Sequence, residues 1–125
     1  MIRTFVSILV AFAILLGLSL FELQYVNKTF DEFHEILYVL RQKTDAQIAT
    51  YEDGKAVQEY WLNKKKVMHI WLPHTSLQEI DLQLDEAVAF LYVDDHKDAL
   101  PKIEVVMGLA FNIPQSYELK WKNIL

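Results

Sequence analysis

Histidines and paired carboxylates are the side chains of this chain with chemistry to offer. The histidines are His34, His69, His74 and His96. A helical zinc site needs two histidines four apart on one face, and a di-iron bundle needs Glu-x-x-His pairs. Neither pattern occurs, and His69 and His74 stand five apart with Pro73 between them. Different elements can still assemble two sets: His74 with Glu79 or Asp81, and His96 with Asp94 and Asp95. The simpler reading of each is a histidine solvated in a turn. Asp81 with Asp85, and Asp31 with Glu35, are carboxylate pairs at helical spacing. Such pairs do acid–base work where a cleft drives their pKa values apart. Here each falls on the polar side of an amphipathic stripe, where exposed carboxylates are ordinary. Asp81 is the more interesting, because it follows Ile80 and can share an end of the fold with His74.

Trp61, Trp71 and Trp121, with Tyr60 and Tyr92, can line a ligand pocket, but aromatics at helical spacing are first of all core. Trp121 in the tail is the exception. With Ile124 and Leu125 it suits a contact with a partner or the bilayer interface, where tryptophan is favoured. Three glycines leave no room for a phosphate loop, a nucleophile elbow or a nucleotide fingerprint. The expectation is no enzyme, no cofactor and no resident metal.

The elements that position these residues begin with Thr4–Phe21. This run holds no charge, and only Thr4, Ser7 and Ser19 are polar. At roughly 1.5 Å per residue it spans a hydrocarbon core about 30 Å thick. Arg3 precedes it and Glu22 follows, so the amino end is expected in the cytoplasm and the rest outside the cell membrane. A cleaved signal peptide is the rival, with Gly17-Leu18-Ser19 as the cleavage region. Against it, the apolar pattern runs on through Leu20, Phe21 and Leu23 without a break. The reading is a transmembrane signal-anchor over 1–23 and a helical bundle over 24–125.

The 12 cationic and 17 anionic side chains give a net charge of −5, or −6 once Arg3 is set aside. An acidic domain is a poor partner for nucleic acid or anionic lipid by bulk electrostatics. Without cysteine there is no disulfide, no thiol chemistry and no lipoprotein anchor.

The fold class is all-α: the transmembrane helix continues into an antiparallel up-down bundle of about four helices. Val26, Phe30, Phe33, Leu37 and Leu40 recur at spacings of 4, 3, 4 and 3, one helical face. Tyr51–Gly54 reads as a turn. A second helix follows over 55–72, with Val57, Tyr60, Trp61, Met68 and Trp71 buried and Pro73 closing it. One of Lys64, Lys65 and Lys66 must lie at the core edge. Ser76-Leu-Gln-Glu79 has the capping-box form, and the third helix buries Leu77, Ile80, Leu84, Ala87, Val88 and Leu91. Asp98 is expected to cap the fourth helix, with Pro101 in its first turn. That helix carries Leu100, Ile103, Val106, Met107 and Ala110 and ends before Pro114, leaving a last short turn capped by Ser116.

Taken together, Trp71, His74, Ile80, Asp81, Leu84, Asp94, Asp95, Ala99, Leu100, Ile113, Pro114, Asn123, Ile124 and Leu125 form a pattern. It resembles that of the small bacterial membrane proteins grouped as domain of unknown function 4363. Pro73 and Pro101 depart from it. The resemblance implies a single-pass bacterial membrane protein that accompanies a second integral membrane protein, and it assigns no functional residue. Three functions are open: an accessory subunit, a ligand- or metal-sensing bundle, and, least favoured, an enzyme. The partners expected are the lipid bilayer and an integral membrane protein. Self-association is open too, with Ala13-x-x-x-Gly17 as a weak packing motif.

Overall fold

The structure is a computed structural model. It describes the backbone of residues 1–70 and 72–124, with their side chains except those of Lys120, Trp121, Asn123 and Ile124. Four helices follow one another: α1 Ile2–Asp45, α2 Tyr51–Met68, α3 His74–Tyr92 and α4 His96–Ile124. The links are 46–50, 69–73 and 93–95. Links this short can only join antiparallel neighbours. Each helix packs on the two beside it in a ring of chain order, with α4 closing back onto α1.

The 4-3-4-3 stripe builds the core as expected. Val26, Phe30, Phe33, Leu37 and Leu40 are buried, and Leu77, Ile80, Leu84, Ala87, Val88 and Leu91 face them from α3. α4 adds Ala99, Ile103, Val106, Ala110 and Tyr117. Burying each large apolar side chain stabilises by about 1.5–3 kcal/mol. The expected α4 stripe differs by a slight rotation, since Ala99 is buried whereas Leu100 and Met107 are only half-buried. Small residues at Ala87, Ala99 and Ala110 let α4 lie close to its neighbours. Phe30, Phe33, Tyr60 and Trp61 fill a wider gap between α1 and α2.

The first half of α1 leaves this core altogether. From Met1 to Phe21 no residue is buried, and every large apolar side chain is exposed. Leu23 and Tyr25 are the first to lean on the core, and Val26 is fully inside it. The helix runs without interruption from one region to the other, about 66 Å in all.

Several boundaries differ from expectation, each for a local reason. Tyr51–Gly54 is not a turn but the first turn of α2. Thr50 caps it: its side chain accepts from the Asp53 amide at 3.2 Å, and the Asp53 carboxylate accepts from the Thr50 amide at 2.9 Å. The turn lies one step earlier, at 46–50. Gln47 takes a left-handed φ of 61°, and the amides of Ile48 and Ala49 close onto the Lys43 carbonyl at 2.9 and 3.1 Å. Gln47 thus fills the position glycine usually holds after a helix. Gly54 is where it is for space: a Cβ there would lie 3.0 Å from Leu91 Cδ1 and 3.3 Å from Val88 Cγ2. Gly54→Val is therefore expected to cost about 1–3 kcal/mol by forcing α2 off α3, read as a lower urea midpoint.

Asp53 carries a pH signature. The Thr50 amide hydrogen bond, aided by the Thr50 side chain and Lys43, holds its carboxyl below the ordinary 3.8. The unfolded chain then takes up the proton first as pH falls, so this contribution is complete above the unfolded value and vanishes below the folded one. Thr50→Ala is expected to lose about 1 kcal/mol at neutral pH. Asp53→Asn removes the carboxylate itself, so its gap from wild type should narrow as pH falls through the Asp53 titration, which thermal melts across that range would check.

Ser76 is not a cap, because α3 starts three residues earlier, behind Pro73. Pro73 opens α3 rather than closing α2, which ends at Met68. Asp95 takes the role expected of Asp98, accepting from the Asp98 amide at 3.1 Å. That places Pro101 past the first turn, inside α4. Pro114 also lies inside α4 and does not end it. Its missing hydrogen bond is outweighed by the buried Ala110 and Tyr117 on either side of it. The expected burial of Trp71 lies outside the described residues.

Candidate functional site

The half-buried polar residues between α2 and α3 form the most organised constellation. Trp61 is 1% exposed and lies in a cage of aromatics, 4.9 Å from the Phe33 ring and 6.0 Å from that of Phe30. A buried indole needs an acceptor for its N–H. It donates to Asp81 Oδ1 at 2.7 Å, and Lys65 Nζ holds the other oxygen at 2.5 Å. Lys65 and Asp81 each keep about a quarter of their side-chain surface open. Lys65 is thus a lysine at the core edge. Next along α3, Asp85 accepts from Gln58 at 2.5 Å. Asp81 and Asp85 therefore tie α3 to α2. Both Asp81 oxygens are engaged by α2 side chains, so it clamps the two helices together.

The candidate ligand sets are distributed differently from the first reading. His74 is exposed at the start of α3, its ring edge-on to His69 with centroids 5.4 Å apart. Asp81 stands two turns further along α3, and Glu79 accepts from Gln83 at 3.2 Å. His96 sits 2.8 Å from the Ala49 carbonyl, which ties the start of α4 to the α1–α2 link. Asp95 caps α4, and Asp94 takes a φ of 58° just past α3. The Asp95 hydrogen bond also holds the Asp98 carboxyl above its ordinary value. Among the described residues no three His, Asp or Glu side chains gather as a metal site would require. The tail residues Trp121 and Ile124, by their side chains, and Leu125 lie outside the described residues.

The second carboxylate pair, Asp31 and Glu35, lines an open groove of about 560 Å³ between α1 and α4, with His34, Glu118 and Phe111. Two contacts of tyrosine with carboxylate were not legible in the sequence. The Tyr60 hydroxyl donates to Glu32 at 3.0 Å; burial first, and then Glu32, pushes its pKa well above the ordinary tyrosine value. The Tyr117 hydroxyl donates to Glu22, the first residue past the apolar run. A buried aromatic with a polar tip announces that it needs an acceptor, but not which helix supplies it.

α1 is long and apolar enough to cross a membrane. No curated protein and no solved structure matches the chain. A family model described as a domain of unknown function, DUF4363, matches residues 20–124, from the end of the apolar run to the end of α4. That match, which covers the four-helix bundle and the foot of the helix that leaves it, makes this chain a member of the DUF4363 family.

Proposed function

We propose that this protein is a membrane-anchored accessory subunit, held by the start of α1 in the cell membrane with the bundle on the extracytoplasmic side, where it contacts an integral membrane protein. The observation that carries this reading is apolar surface beyond the anchor. Ile48 in the α1–α2 link is 66% exposed, and Tyr92 and Val93 past the end of α3 are 69% and 66% exposed. Tyr51 and Tyr92 touch with ring centroids 5.1 Å apart, so both links belong to one tip of the bundle, the end far from the anchor. Lipid does not reach that end, and large apolar side chains grouped at a protein surface mark a protein contact. A sensing bundle, the second reading, needs a ligand chamber between the helices. The open groove between α1 and α4, lined by Asp31, His34, Glu35 and Glu118, is where that reading would place it.

The test is purification of the tagged full-length protein from its native host in gentle detergent, with quantitative mass spectrometry. A stoichiometric integral membrane protein, lost in Ile48→Asp/Tyr92→Asp, is the expected result. A protein that comes alone overturns the reading.

A further inference from the structure

We propose that the membrane-proximal end of the bundle is a seat for anionic lipid headgroups, with Lys64, Lys66 and Lys122 over the phosphates and Ile70 and Leu119 dipping into the interface. This rests on reading the start of α1 as the anchor.

Two hydrogen bonds fix the heights of the other helices against α1. Tyr117 meets Glu22 just past the apolar run. α4 continues from there to Ile124, seven residues or about 10 Å, back along the anchor. Lys122 and Leu119 therefore stand at or below the height of Glu22. Tyr60 bonds to Glu32, and its hydroxyl lies 3.4 Å from the Thr29 carbonyl. α2 runs antiparallel, so Ile70, ten residues or about 15 Å further on, is also level with the end of the apolar run. Both helices thus bring an exposed apolar residue to one plane: Ile70 is 74% and Leu119 60% exposed. The anchor places that plane among headgroups whether or not a partner is present.

Charge is distributed to suit. The chain past the apolar run that ends at Phe21 holds 11 cations and 17 anions. At this end Lys64, Lys65, Lys66, Lys120 and Lys122 stand against Glu22, Glu79, Asp81 and Glu118, five cations to four anions, so the acidic excess of the chain lies elsewhere. Asp81 is paired with Lys65 and also accepts from Trp61. Glu22 and Glu79 accept from the neutral donors of Tyr117 and Gln83 and keep their charge. Lys122 lies 3.9 Å from Glu118 yet keeps 71% of its surface open. Lys66 is exposed, and the half-buried Lys64, whose ammonium lies 5.7 Å over the Tyr60 ring, would leave that contact to reach a phosphate. An acidic body is repelled by an anionic bilayer, and this end, with its slight cationic excess, opposes that repulsion.

The chain has no cysteine, so single-cysteine spin labels are unambiguous. Full-length Ile70→Cys, Leu119→Cys, Leu16→Cys and Ile48→Cys are labelled and reconstituted in vesicles of phosphatidylcholine with phosphatidylglycerol, or of phosphatidylcholine alone. The labels at 70, 119 and 16 should relax with oxygen more than with a water-soluble nickel chelate, and the label at 48 the reverse. Adding Lys64→Gln/Lys66→Gln/Lys122→Gln should shift the label at 70 toward the chelate, by roughly fivefold per lysine in the seated-to-raised ratio. Labels at 70 and 119 in water while 16 stays in lipid overturn the seat and leave the anchor standing. A label at 16 in water overturns the anchor and the seat with it. Labels at 70 and 119 shielded from both relaxants identify a protein contact and overturn the lipid seat. Equal seating without phosphatidylglycerol, unchanged by the lysine substitutions, overturns the role of anionic headgroups.

Discussion

Trp61→Ala is expected to lower the unfolding free energy by about 3–5 kcal/mol, a third or more of what a domain of this size possesses. The side chain is 1% exposed and touches Phe30 and Phe33 of α1 while bonding to Asp81 of α3, so one truncation loosens three helices. Its removal opens a cavity that neighbouring aromatic rings, themselves packed, cannot close. Trp61→Phe separates the two contributions. It keeps an aromatic ring in the cage but takes the N–H from Asp81, which still has Lys65 and partial access to water. It should cost about 1–2 kcal/mol. The measurement is far-UV circular dichroism of the full-length protein in detergent during urea unfolding. An alanine variant within 1 kcal/mol of wild type would show that α2 does not depend on this cage.

Phe12→Asp/Leu16→Asp is expected to release the chain from the membrane. Each carboxylate near the middle of a spanning helix costs about 3 kcal/mol, so the pair opposes insertion by about 6 kcal/mol. Phe12 and Leu16 both lie outside the buried core, so folding from Glu22 onward should be largely unchanged. Fractionation with alkaline carbonate reads the first effect, and the urea midpoint reads the second. A variant that remains with the membrane as fully as wild type would refute the anchor.

The helices were legible because their signal is periodic. Val26, Phe30, Phe33, Leu37 and Leu40 announce one face, and that face is buried. Boundaries were less legible, because several residue types carry two meanings. Gly54 reads as a breaker, yet here it gives room to Leu91, and the true cap is Thr50 with Asp53 as its reciprocal partner. Ser76-x-x-Glu79 has the letters of a cap but lies inside a helix that Pro73 had already opened. Pro114 ought to stop α4, but the packing of Ala110 and Tyr117 holds the helix across it. The candidate site was least legible. That Asp81 matters could be suspected from its place beside Ile80. That it faces Trp61 and Lys65 rather than His74 depends on the rotation of α2 against α3, which no local pattern encodes. His96 likewise looked like a ligand beside two aspartates, and its partner is the Ala49 carbonyl, 47 positions away.

The unbroken course of α1 makes the anchor and the bundle a single lever. No glycine or proline separates Gly17 from Gly54, so nothing in that stretch acts as a joint. From Glu22 to Asp45 the shaft rises about 36 Å above the apolar run. Spanning helices lean on average about 20° from the bilayer normal, and a swing of that size would carry the far tip roughly 12 Å sideways. A partner gripping Ile48 and Tyr92 would therefore feel a change of tilt or bilayer thickness as a displacement larger than a helix diameter. A twist applied at that tip would travel back into the membrane with little loss.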